Sequence, residues 1–131
     1  MVEICKKKCD YLGNLELLDR PKVSIVGSRR ASQYAKETTF SLARGFAKRG
    51  WVVVSGAAMG IDAMAHRGAG AQNTIAVLPC GIKERYPKVN ARLIDEIAKE
   101  GLVVSQFEPS FKATPWSFVV RNELVVGLGS S

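Results

Sequence analysis

With 131 residues, 47% of them hydrophobic, the chain has material for one well-buried core and not for two comfortable domains. A net charge of +7 suits a polyanionic partner without naming one. Three cysteines, an odd number, argue against a disulfide framework. With neither an N-terminal apolar leader nor an apolar run of about 18 residues in the sequence, a reduced, cytoplasmic setting without a membrane partner is expected.

Residues 1–20 are expected to form an N-terminal arm or edge strand, lysine-rich after a short apolar start and turning at Gly13-Asn14. Leu15, Leu17 and Leu18 can then cover a sheet before Arg20-Pro21 launches a first central strand, Val23 to Gly27. Ala35, Thr39, Leu42, Ala43, Phe46 and Ala47 recur at helical spacing, Lys48 and Arg49 fill a last turn and Gly50 is a stop, which predicts a helix over 32–49. Strand 51–55, helix 61–70 and strand 74–78 follow. Helix 90–99 buries Leu93, Ile94 and Ile97 and ends at Gly101, ahead of strand 102–105. Continuous apolar strands alternating with helices predict a mainly parallel sheet covered on both faces, within a single domain whose α/β core is 21–131.

Two segments carry the same pattern. In VSIVGSRRASQY, at 23–34, an apolar strand runs into Gly27, Ser28, Arg29, Arg30 and Ser32 before a helix, which gathers backbone N–H groups, hydroxyls and guanidinium forks where a phosphate could sit. In VVVSGAAMGID, at 52–62, Ser55, Gly56 and Gly60 form a second small-residue turn whose backbone donors can approach an anion. Lys83, Arg85 and Lys88 surround Tyr86-Pro87, a basic loop with an aromatic of the kind that suits a single nucleic-acid strand. The plainer readings are a solvated strand-to-helix turn, Ser32 as an N-cap, and Tyr86 pinning its own loop.

Asp62 and His66 stand four apart on one helical face, but no nucleophile or second carboxylate accompanies them. Asp62 is therefore expected to favour the helix dipole, and His66 to bond back to it or pack in the core. Cys5, Cys9, Cys80 and His66 lack the paired spacing of a zinc module, so neither metal nor cofactor is expected. Ligands of open parallel sheets bind beyond the carboxyl ends of the strands, where strand order reverses. In the order 3-2-1-4, that crevice lies between the first and fourth central strands, and the loops 27–32, 55–62, 79–87 and 106–116 all reach its rim.

The runs VGSRRAS at 26–32, SGAAMGIDAMAH at 55–66, TIAVLPCGIKERYPKVN at 74–90 and FVVRN at 118–122 resemble, in order and approximate spacing, the DNA-processing protein A family (DprA, also called Smf). The resemblance reaches from about Tyr11 to Leu128 and implies a Rossmann-like three-layer α/β/α domain whose last helix, 117–128, is the family's FxxRN helix, incomplete at its C-terminus because in the family that helix leads into further strands. It further implies a non-enzymatic protein that binds single-stranded DNA and helps load a RecA-type recombinase in natural transformation, with a homodimer left open. Arg121 and Asn122 would be structural or line the pocket, Arg121 joining the phosphate-binding set, with Trp116 and Phe118 beside them in the core. The chain departs from the family pattern at Glu123, where a second arginine is usual, at Gly68 and Gly70 in an otherwise Ala- and Leu-rich helix, at Lys83 and at Pro79. Two other readings stay open: a phosphoribohydrolase-like nucleotide-processing enzyme, whose PGGxGTxxE hallmark is absent here, and a binder of a small phosphorylated ligand.

Overall fold

The computed structural model describes residues 1–129. In chain order its elements are β1 (Val2–Ile4), β2 (Lys7–Gly13), β3 (Lys22–Ser24), α1 (Gln33–Lys48), β4 (Val52–Ser55), α2 (Ile61–Ala69), β5 (Thr74–Val77), α3 (Ala91–Glu100), β6 (Leu102–Ser105) and α4 (Pro115–Gly129). The six strands make one sheet in the order β1-β2-β6-β5-β4-β3, with β3 to β6 parallel and β2 antiparallel to both of its neighbours.

The fold is therefore α/β with a mainly parallel sheet, but the order 3-2-1-4 does not form. Each strand–helix–strand unit steps one place in the same direction, so β3 takes an edge and nothing reverses between the first and fourth central strands. Crossovers of the favoured right hand, all stepping one way, carry α1, α2 and α3 to the same face. There Ala43, Ala65 and Ala69 pack on Val53, while Leu93, Ile94 and Ile97 pack on Ala76, Leu78 and Val103. The alternate residues of the same strands, Val52, Val54, Ile75, Val77, Leu102 and Val104, point the other way and meet Leu124, Val125 and Leu128 of α4 and Leu17 of a 3₁₀ turn at 15–19. Helices thus cover both faces.

Beyond β6 the sheet continues into the N-terminal hairpin, where Asp10 to Gly13 pair with Ser105 to Leu102. Its two-residue turn, Cys5-Lys6, holds φ of 49° and 65°, the left-handed pair that matches the twist of a tight hairpin.

Three local differences from the expected elements have simple causes. The first central strand is three residues long rather than five: Ile25 still donates to Val54 O at 2.9 Å, and the chain then lifts off the edge. On α1, Thr39 and Ala43 are buried but Leu42 is half-exposed, because small residues bring α1 and α2 close. Gly68 belongs to that contact, since a Cβ there would strike the carbonyl oxygen of Phe40, and close packing offsets the roughly 1 kcal/mol a mid-helix glycine costs. The last helix begins earlier than expected, at Pro115, because Thr114 and Ser117 cap it reciprocally: Thr114 N–H donates to Ser117 Oγ at 2.8 Å and Ser117 N–H to Thr114 Oγ1 at 3.1 Å. Among the described residues no helix is long and apolar enough to cross a membrane.

Ile97 is fully buried beneath the sheet. Ile97→Ala is expected to lower unfolding free energy by about 2–5 kcal/mol in urea titration, and a change well below that would mean α3 does not anchor this face.

Candidate functional site

β4 ends at Ser55 and α2 begins at Ile61, and the turn between them is held almost entirely by side chains. Gly56 N–H donates to Asp62 Oδ2 at 3.1 Å, and Gly56 O accepts from Arg121 Nη1 at 2.6 Å. One residue on, Ala57 N–H donates to His66 Nε2 at 3.1 Å, and Ala57 O accepts from Asn90 Nδ2 at 2.8 Å. All four side chains are buried. Ala57 sits at φ 60°, a left-handed conformation that costs a residue with a Cβ on the order of 1–2 kcal/mol, and this bonding holds it there. Gly60, at φ 80°, lies against the first loop: a Cβ there would meet the carbonyl oxygens of Ser28 and Arg29. Asp62 Oδ1 accepts from Gly27 N–H at 3.3 Å and Ile61 N–H donates to Ser28 O at 3.2 Å, so the two glycine-bearing loops are bonded into one body.

The protonation states follow from this bonding. His66 Nε2 accepts from Ala57, so Nδ1 carries the proton and donates to Thr74 Oγ1 at 2.7 Å, and Thr74 passes its own to Val53 O at 2.7 Å. Full burial, with Arg121 and Arg67 nearby, pushes the imidazole down to about 3, so it is neutral. Burial raises the Asp62 carboxyl, while Gly27 N–H, the Arg121 charge and the N–H groups of Gly56 and Ala58 pull it down. Burial likewise lowers Arg121, with Asp62 holding it up.

Above this floor, at the carboxyl ends of β4 and β5, the exposed Arg29 guanidinium lies 5.0 Å over the Phe118 ring and that of Arg121 lies 5.5 Å from the same ring. Tyr86 meets Phe118 edge-on at 5.4 Å. A pocket of about 30 Å³ lies between Arg29, Gly56, Ala58, Tyr86, Pro87, Phe118 and Arg121. A cleft of about 320 Å³ continues from it along α4 past Gly27, Asn122 and Val126. Cations and ring faces share one mouth, a combination that takes a phosphate next to a planar group.

A family profile described as DNA recombination-mediator protein A matches residues 9–131. The chain belongs to that family. It is 41% identical over 121 residues to DNA processing protein DprA of Streptococcus pneumoniae, covering 90% of this chain and 42% of that protein. Against DprA of Bacillus subtilis it is 36% identical over 119 residues, with coverages of 88% and 40%. It superposes with TM-score 0.90, at 44% identity, on DNA processing protein A from Helicobacter pylori, described for its single-stranded DNA binding mode, over 93% of this chain and 57% of that one. The crystal structure of the Streptococcus pneumoniae protein gives 0.85 at 41% identity, over 92% and 43%. The chain spans roughly two fifths of the length of these curated relatives.

In this DprA-family chain the expected site residues divide by what their polar atoms already do. Arg29, Gly56 and Arg121 meet at the pocket, and Gly27 lines the adjoining cleft. Arg30 and Lys83 are exposed, with no side-chain bond among the described residues. Ser28 Oγ accepts from Arg30 N–H at 3.0 Å, and Ser32 Oγ accepts from Ala35 N–H at 3.1 Å as an N-cap. Ser55 is not brought to the rim: it is fully buried and donates to Ile25 O at 2.6 Å. The Gly56 N–H, spent on Asp62, is no anion donor either. Nor is Arg85 free, because it pairs with Asp95 at 2.7 Å and bonds the carbonyls of Ile82 and Glu84 at 2.7 and 2.9 Å.

His66 does not bond back to Asp62, because the left-handed Ala57 turns its N–H toward α2 and takes the imidazole instead. Phe118 is half-buried at the pocket and Trp116 is 62% exposed, so neither is the core residue expected. Asn90 was legible as a helix start, but it makes no capping bond and reaches Ala57 instead.

In the unfolded chain His66 titrates near its ordinary 6.5, and in the fold near 3. Below about 6.5 the unfolded chain binds a proton the fold refuses, so stability present at neutral pH declines toward pH 3, by up to about 1.4 kcal/mol per pH unit. His66→Gln, which keeps an acceptor for Ala57, should be less stable at neutral pH and show a shallower slope in urea unfolding across that window. Parallel slopes for the two proteins would assign the acid sensitivity elsewhere.

Proposed function

We propose that this chain binds single-stranded DNA along the carboxyl rim of its sheet and performs no chemistry on it. The observation that carries the reading is Arg29: an exposed guanidinium with no hydrogen bond or ion pair among the described residues, held over the Phe118 ring at 5.0 Å at the mouth of the pocket. A cation for the phosphate beside a ring for the base is how strands are held without regard to sequence. The relative from Helicobacter pylori described for single-stranded DNA binding supports the same reading. A binding role rather than an enzymatic one fits Asp62 and His66, whose polar atoms are consumed in the 56–57 turn and beneath it, and the hydroxyl that His66 meets, that of Thr74, is itself buried and committed to Val53 O. From family membership we extend the proposal to assisting a RecA-type recombinase in natural transformation, in the cytoplasm.

Labelled oligo-dT, duplex DNA and AMP titrated at matched salt test the reading. Oligo-dT should bind best. With Arg29, Arg30 and Lys83 available, about three contacts, log K against log salt should fall with a slope near −2 at about 0.7 per phosphate. Arg29→Ala should cost about 1.5–3 kcal/mol of binding and flatten that slope, while Arg85→Ala should leave affinity nearly unchanged. Tighter binding of AMP than of oligo-dT would replace this reading with that of a small phosphorylated ligand.

A further inference from the structure

We infer that Trp116 is a second base-stacking platform, which carries the DNA track from the Phe118 pocket across the amino end of α4. The inference rests on the proposed single-stranded DNA binding and adds one more nucleotide contact to it. Trp116 is the largest side chain on the rim, yet 62% of it is exposed. Leaving an indole in water forgoes free energy that burial would provide, so its support deserves explanation.

That support is unusually firm for an exposed ring. Trp116 stands edge-on to Phe107 at 5.8 Å and 70°, and to Phe111 at 6.4 Å and 74°. Those two rings stack on each other at 5.0 Å and 15°, with Phe107 buried. The backbone beneath the indole is fixed as well, by Pro115 and by the reciprocal cap between Thr114 and Ser117. The indole is thus braced from one side and open on the other, the condition for a stacking surface that loses little freedom when occupied.

Its place joins it to the pocket. Two residues along a helix are about 200° apart around its axis, so Trp116 and Phe118 flank the first turn of α4 on opposite sides, with the positive end of the helix dipole between them. Exposed Lys112 in the adjoining loop offers a cation, and Glu108 is the acidic residue of that loop. An unpaired base fits this surface because every base presents a π-face, and the phosphate linking it to the base at Phe118 would cross the helix end.

The chain has two tryptophans. Trp51 precedes β4, at the opposite end of the sheet against Phe46, so Trp51→Phe leaves Trp116 as the sole indole emitter. Oligo-dT of about three nucleotides should reach the pocket alone, and one of about eight, within usual single-strand site sizes, should reach both rings. The longer strand should quench Trp116 emission and the shorter should not. Trp116→Leu should weaken the longer strand roughly five- to 150-fold and leave the shorter unchanged, Trp116→Tyr should restore most of the loss, and Arg29→Ala should weaken both lengths. If the longer strand binds with full dependence on Arg29 but neither quenches Trp116 nor responds to Trp116→Leu, this inference falls and the binding reading stands. An equal loss at both lengths in Trp116→Leu also overturns it, since Trp116 would then act through the Phe118 pocket. Failure of the parent to bind either oligonucleotide removes both.

Discussion

The peptide groups of Gly56 and Ala57 are bonded on both sides by Asp62, Arg121, His66 and Asn90, which arrive from α2, from the start of α3 and from α4. Buried polar groups are costly unless paired, and here each side chain and each peptide atom solves the other's problem. The same bonds fix a left-handed alanine, tie the first loop to the second through Gly27, and draw α4 onto the ends of β4 and β5 through Arg121, which also reaches Val77 O at 3.1 Å. Arg29 and Phe118 therefore meet over a floor that does not have to be organised when a ligand arrives. In such a network the members are not independent, and losing one leaves its partners buried without bonds.

Most of the architecture was legible because its signals are local. The runs at Val52–Val54, Ile75–Val77 and Leu102–Val104 are apolar on both faces, as a doubly covered parallel strand must be, and Gly50 and Gly101 end their helices where a stop was read. Strand order was not legible in the same way, since the apolar pattern of four buried strands is identical whichever neighbours they take. What decides it is the second partner of β6, and that partner is β2, from a segment whose sequence reads equally as a loose arm or an edge strand and so names no neighbour. The edge position of β3 then accounts for its short length and for Val26 standing outside the core.

At the site, residue type identified the loops but not the employment of each atom. Arg29 and Arg85 read alike in sequence. Arg85 is neutralised by Asp95, ten residues on and one turn into α3, a pairing that only the docking of that helix creates. Ser55 and Ser28 also read alike, yet strand alternation sends one hydroxyl into the sheet edge and leaves the other in a turn. Phe118 and Trp116 look like core residues because aromatic residues usually are. Their exposure follows from the Thr114–Ser117 cap, which starts α4 at the rim rather than beneath it.

The pairing of β2 with β6 also bears on how the molecule assembles. Each central strand joins a neighbour separated from it by a single helix, so the parallel part of the sheet can grow as the chain lengthens, one short loop closure at a time. Among the strands of this sheet the hairpin precedes the others in the chain and is placed last: Asp10 to Gly13 have no partner in β6 until Leu102 to Ser105 exist. Within this sheet the first strands of the chain thus wait longest for their partner, and the lysines at 6 to 8 place charge on that unpaired edge through the interval.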